Sequence, residues 1–168
     1  MDRKMPVKDK VRYQRDTFGE IAIPEDALWG AQTQRSLQYF KIGNHHFGER
    51  FIRALVAIKR ACAQANRSCE LLDDTRCEAI VVACDDILDG HHFDQFPLSV
   101  WQTGSGTQTN MNVNEVISTL ANSILEKESG GDKTVHPNDH VNRSQSSNDV
   151  FPSAMHIAVA QATHDKLI

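Results

Sequence analysis

Two short stretches of this chain hold the side chains with the greatest chemical reach. The first is Thr103-Gly104-Ser105-Gly106-Thr107 and the second is Ser144-Gln145-Ser146-Ser147-Asn148-Asp149. Each crowds small hydroxyl and amide groups beside permissive backbone, and each precedes a segment with helical patterning. That combination suits a small carboxylate bound without a full positive charge. The first N–H groups of a helix lack intrahelical acceptors, and the helix dipole favours an anion there. Glycine lets the main chain come close to a ligand, while Ser, Thr and Asn add donors of short reach. Gln102, Gln108 and Thr109 extend the first run, and Asn110, Asn112 and Asn114 place amides at the beginning of the next helix. Trp101 and Pro97 imply a packed loop and not a tether. In the second stretch one polar residue would suffice as an N-cap. The surplus of Ser146, Ser147, Asn148 and Asp149 points to a ligand.

Other constellations offer less. His136 and His140 are four apart, a spacing that suits zinc on a helix, but Pro137 between them and the loop context argue against a metal. Glu115 either orients an active-site group or is a salt-bridged or solvated helix residue. His45, His46, His91, His92, His156 and His164 have no partner pattern. No Ser-His-Asp pattern, phosphate-binding P-loop or dinucleotide fingerprint is evident. Cys62, Cys69, Cys77 and Cys84 form no Cys-x-x-Cys pair, so reduced thiols are expected and a disulfide framework is not.

Composition sets the frame. With 168 residues, 40% of them hydrophobic and 24% charged, the chain has the make-up of a soluble globular domain with a sizeable core. A formal net charge of −4 argues against general nucleic-acid affinity. No apolar run is long enough to span a bilayer. The basic arm of Arg3, Lys4, Lys8, Lys10, Arg12 and Arg15 is interrupted by Asp2, Asp9 and Asp16, and reads as a frayed terminus.

The elements that must position the two stretches follow from periodicity. Residues 12–23 read as a hairpin turning at Phe18-Gly19, and Ala31 to Tyr39 as a short helix. Gly43 to Gly48 is a loop. Phe51, Leu55, Ile58, Cys62 and Ala65 mark a helix over 51–65. A further helix is capped by Thr75 with Glu78, or by Asp73 or Asp74, and closed by Gly90. Met111, Val113, Ile117, Leu120 and Leu125 mark the helix after the first stretch, and Ser129-Gly130-Gly131 ends it. Residues 132–148 read as an ordered loop or linker. A last helix starts at Val150, with Pro152 in its first turn, and runs into Leu167-Ile168 without a stop signal, which reads as a cut through a longer helix.

Taken together these strings resemble the N-terminal part of the class II fumarases, in the fumarase/aspartase superfamily. The resemblance rests on Gly30-Ala31-Gln32-Thr33-Gln34-Arg35, the first stretch with Asn110-Met111-Asn112, His136-Pro137-Asn138-Asp139, and the second stretch with Pro152, in that order. It implies a mainly α fold: an N-terminal domain over 1–149 with a small hairpin, then the start of a long-helix bundle domain over 150–168. It implies reversible anti addition of water to fumarate, giving L-malate, with no cofactor, in a cytoplasmic homotetramer. Carried over, Ser105, Thr107, Ser146, Ser147 and Asn148 bind substrate carboxylate, and His136, Asn138 and Asp139 form a second dicarboxylate site. Lys133 stands where the family often has Arg, and the two are not equivalent at a bidentate carboxylate site. The family's catalytic His and mobile Ser loop find no counterpart in these residues, so the chain supplies binding groups and is expected to be inactive alone. The nearest rival is aspartate ammonia-lyase, a branch that usually carries Asn at the position of His136 and Thr at that of Ser147. A rival of another class is a non-catalytic dicarboxylate-binding or interaction fragment, whose exposed face would comprise Phe151, Met155, Val159 and Leu167.

Overall fold

The computed structural model describes residues 10–129 and 134–167. Arg3, Lys4 and Lys8 of the basic arm, Gly130-Gly131, Lys133 and Ile168 lie outside them. A hairpin comes first: β1 (Val11–Asp16) pairs antiparallel with β2 (Gly19–Pro24), Tyr13 opposite Ala22 and Asp16 opposite Gly19. The turn is Thr17-Phe18, and Gly19 opens β2 at φ +105°, in the region glycine tolerates best. Alternation aims Ile21 and Ile23 inward, where they form a small cluster with Ala27 and Ala31. That cluster seats the hairpin on α1 (Ala31–Tyr39). Arg35 of α1 reaches back, making a two-pronged bond to Asp16 at 2.7 Å each and a third to the Gly19 carbonyl.

Four longer helices make the body. α2 (Glu49–Ser68) packs on α3 (Asp74–Leu88) and on α5 (Ser147–Leu167), and α3 packs on α4 (Thr107–Ser129). One apolar core runs through them, with Leu55, Ile80, Ile87, Ile117, Leu125 and Val150 among its members. Asp73 caps α3 by accepting from the Arg76 N–H, so the alternative cap prevails over Thr75. The chain is thus mainly helical with one small two-stranded sheet, as its patterning implied.

Two elements differ from their periodic reading. The buried face of α2 is Ile52, Leu55, Val56, Lys59, Ala63 and Asn66, while Ala65 is exposed and Phe51, Ile58 and Cys62 are only half-buried. A stripe defined by apolar residues alone is rotated, because two polar residues sit on the inner face. α5 starts at Ser147, not Val150. Pro152 is therefore its sixth residue, and having no N–H it leaves the Asn148 carbonyl without its helical donor. Met155, Val159 and Leu167 are exposed, but Phe151 is not part of that patch. Its ring packs edge-on against Phe47 and Phe51, at 5.5 and 4.9 Å between centroids.

All four cysteines are free thiols; Cys77 and Cys84 are buried on the inner face of α3 and Cys69 is exposed. Burial pushes the Cys77 and Cys84 thiols up from their ordinary value. Maleimide labelling of the native chain at neutral pH is expected to be at least about tenfold slower at Cys77 and Cys84 than at Cys69, read by peptide mass spectrometry. Equal rates would show that α3 is not packed as described.

Candidate functional site

The two polar stretches meet. Thr107 is the first residue of α4 and Ser147 the first of α5. Their hydroxyl oxygens lie 2.8 Å apart, across 40 residues of sequence, and Ser105 Oγ lies 3.0 Å from Thr107 Oγ1. Three hydroxyls therefore form one hydrogen-bonded row at the junction of two helix N-termini. Ser146 and Asn148 flank the row and are exposed; the Asn148 N–H donates to Ser146 Oγ at 3.3 Å. All five predicted carboxylate binders thus lie on two adjoining turns. The first-turn N–H groups of Thr107, Gln108 and Ser147 have no intrahelical acceptor, so the junction concentrates positive ends of dipoles.

Local chemistry explains why the turns hold these shapes. Gln102 closes the first by a reciprocal pair: its Nε2 donates to Thr109 Oγ1 at 2.7 Å, and its Oε1 accepts the Thr109 N–H at 3.0 Å. Gly106 is left-handed at φ +70°, and a Cβ there would fall on the Phe151 ring. The Phe47–Phe51–Phe151 cluster thereby presses the start of α5 against the glycine turn. Asn110, Asn112 and Asn114 are buried on α4 and face inward, not toward the junction. Asn112 donates to the Gln95 carbonyl at 3.0 Å and Asn110 to Asn142 Oδ1 at 3.1 Å. These two amides brace the fold, while Asn114 donates to Met111 Sδ at 3.5 Å, and the buried Oδ1 atoms of all three have no hydrogen-bond partner among the described residues.

The second turn is wired from below. Gln145 Nε2 donates to the Val141 carbonyl at 2.9 Å, Asn142 Nδ2 to the Gln145 carbonyl at 3.2 Å, and Asn66 Nδ2 to the Arg143 carbonyl at 3.0 Å. Lys59, fully buried, donates through Nζ to Asn142 Oδ1 and Gln145 Oε1, both at 2.8 Å. Burial pulls its ammonium down to about 7. Sequence reasoning missed Lys59; the signal was its place four residues after Leu55, on the inner stripe of α2.

Among the described residues Glu115 is neither solvated nor salt-bridged. It is buried and accepts from the N–H groups of Gly30, Gln32 and Thr33 at 2.9, 3.0 and 3.1 Å, and from Thr33 Oγ1 at 2.6 Å. It is the N-terminal cap of α1, supplied from α4. Ser36 of α1 in turn donates to Gln108 Oε1 at 2.5 Å, beside Thr107. An open cleft of about 500 Å³ adjoins Thr107, walled by Phe18, Arg35, Tyr39, Phe40 and Met111. Because Arg35 is held by Asp16, the donors this junction presents are uncharged.

His136, Asn138 and Asp139 share one turn, a π-helical segment over Pro137–Val141 with His136 as its cap. All three are exposed. The His136 Nδ1 accepts the Asp139 N–H at 3.3 Å, and the His140 Nδ1 accepts the His136 N–H at 2.7 Å. Among the described residues no group of three or more His, Cys, Asp or Glu side chains is arranged to hold a metal ion.

The chain is similar to known proteins in sequence and in fold. A family model described as lyase matches residues 19–168. The class II fumarate hydratase of Bacillus subtilis is 53% identical over 157 residues, covering 94% of this chain and 34% of that protein. The class II fumarate hydratase of Pseudomonas putida is 58% identical over 158 residues, covering 94% and 34%. A crystal structure of class II fumarase from Schistosoma mansoni superposes with a TM-score of 0.87 at 42% identity, over 92% of this chain and 33% of that one. The chain thus spans about a third of the length of the curated relatives it matches.

Proposed function

We infer a function from the premise that this chain belongs to the lyase family, and is similar over nearly all its length to class II fumarate hydratases. The complete gene product containing these residues hydrates fumarate reversibly to L-malate, and this chain supplies part of the carboxylate-binding site. The observation that carries the reading is the 2.8 Å contact of the Thr107 and Ser147 hydroxyls, which joins the N-termini of two long helices. Such a junction binds an anion through backbone and hydroxyl donors.

The chemistry needs that kind of site. In the dehydration direction a base removes the weakly acidic proton beside a carboxylate, and that carboxylate gathers the extra negative charge. Donors already aimed at its oxygens stabilise the charge as it grows and need no reorganisation. Ser105, Thr107, Ser146, Ser147 and Asn148 take this role. The groups that move protons and help hydroxide leave belong to the remainder of the complete protein. His136, Asn138 and Asp139 form a second, outer dicarboxylate site on their own turn. The later turns of α5 begin a second, long-helix domain after residue 149, and its exposed Met155, Val159 and Leu167 are covered in a homotetramer. A cytoplasmic location accords with this role; among the described residues no helix is long and apolar enough to cross a membrane.

The test is direct. The purified complete product is expected to consume fumarate, followed by loss of its ultraviolet absorbance, and to leave aspartate untouched. Deamination of aspartate without hydration would replace the reading with an ammonia-lyase. Fumarate binding without turnover would leave a dicarboxylate-binding module. The 168-residue chain alone is expected to be inactive, and measurable malate dehydration by it would refute that.

A further inference from the structure

Lys59 is a charge in an unusual place. It is the largest of the fully buried side chains, set on the inner face of α2 within the main core. Charged groups are almost never fully buried unless paired, and among the described residues no salt bridge reaches it. Its recorded partners are neutral: the amide oxygens of Asn142 and Gln145. Asp149, the acid in the first turn of α5, is exposed. Amide oxygens satisfy N–H groups but cannot cancel a charge.

As packing alone the choice is poor. An apolar side chain of similar volume serves a core at least as well as a buried ion. What an ammonium adds is two directed bonds into one short turn. Both acceptors belong to residues 142–145, directly ahead of Ser146. The same Asn142 oxygen also receives Asn110 of α4, so α2, α4 and the turn before α5 share one hub. We propose that Lys59 is a positioning residue of the dicarboxylate site: its buried amino group, through two directed bonds, fixes the turn that presents Ser146, Ser147 and Asn148. This rests on the reading of the junction as a fumarate site.

The test uses the complete gene product with fumarate as the probe. Lys59→Met keeps length and bulk while removing the charge and both bonds. Its kcat/KM for fumarate is expected to fall about tenfold or more, with KM rising at least about threefold and kcat falling with it because charge grows on the same carboxylate, and its melting temperature to stay within a few degrees of the parent. A merely structural role would instead lower the melting temperature and the active fraction and leave KM alone. Gln145→Leu, which removes one of the two acceptors, is expected to raise KM less, and to add nothing in the Lys59→Met background. A folded Lys59→Met protein with KM within twofold of the parent overturns the proposal. Should Lys59→Met not fold, an unchanged KM in Gln145→Leu overturns it equally. If the unsubstituted protein neither hydrates nor binds fumarate, the site reading itself has failed and the role of Lys59 falls with it.

Discussion

Glu115→Ala is expected to destabilise this fold by about 3 kcal/mol or more, the largest effect of any single side chain outside the apolar core. Four donors converge on that carboxylate: three N–H groups at the start of α1 and the Thr33 hydroxyl. Removing it leaves all four unpaired, and the donors of Gly30 and Thr33 lie where water has little access, since Thr33 is 1% exposed and Glu115 7%. Each buried orphan costs about 1–3 kcal/mol. Glu115→Gln is the sharper probe, because it keeps the volume but replaces one acceptor oxygen with an NH₂ group facing other donors. A loss of about 2 kcal/mol is expected for it, with a fall in melting temperature of roughly 4–8 °C. Thermal unfolding followed by circular dichroism measures both variants. A melting temperature within a degree of the parent for Glu115→Gln would show that the carboxylate does not cap α1. The arrangement also accounts for part of the Gly30-Ala31-Gln32-Thr33 string. A Cβ at residue 30 would lie 2.7 Å from Glu115 Oε1, so a side chain there would have to displace the carboxylate from its four donors. Thr33 supplies the hydroxyl that completes its shell.

In the complete gene product, Asn148→Ala is expected to lower kcat/KM for fumarate at least tenfold, about 1.4 kcal/mol of transition-state stabilisation. Thr107→Val should cost as much or more. Its hydroxyl is the middle of the Ser105–Thr107–Ser147 row, and its loss removes a donor and releases both neighbours. A hydrogen bond to a charged group contributes about 1.5–3 kcal/mol, which places the expected range between roughly tenfold and a hundredfold. Because the charge on the substrate carboxylate grows along the reaction, kcat should fall more than KM rises. Steady-state kinetics on folded variants gives both parameters. Unchanged kcat and KM for Asn148→Ala would remove Asn148 from the site. The same result for Thr107→Val would remove the junction as a whole.

These expectations differ in how far they could be read before any coordinates. The hairpin, the helices and the two donor-rich turns follow local rules, since side-chain alternation, 3.6-residue periodicity and turn chemistry act over a few positions. The rotated face of α2 shows where such rules fail. Lys59 and Asn66 face the core because partners 77 to 86 residues away receive their hydrogen bonds. A pattern built on hydrophobicity counts them as surface. In the Asn110, Asn112 and Asn114 run the amides are buried, and those of Asn110 and Asn112 hold Asn142 and the Gln95 carbonyl, contacts that no local pattern announces.

By itself the sequence determined the elements, the family resemblance and the identity of the candidate carboxylate binders, because these depend on residue type and short-range order. Only the tertiary structure decided that the starts of α4 and α5 touch, that Glu115 caps a helix it does not belong to, and that a lysine lies sealed beneath the second turn. Those three facts depend on groups far apart in the chain being brought within 3 Å, and the energy that holds them there is the burial of a shared core together with the high cost of leaving a buried donor unpaired.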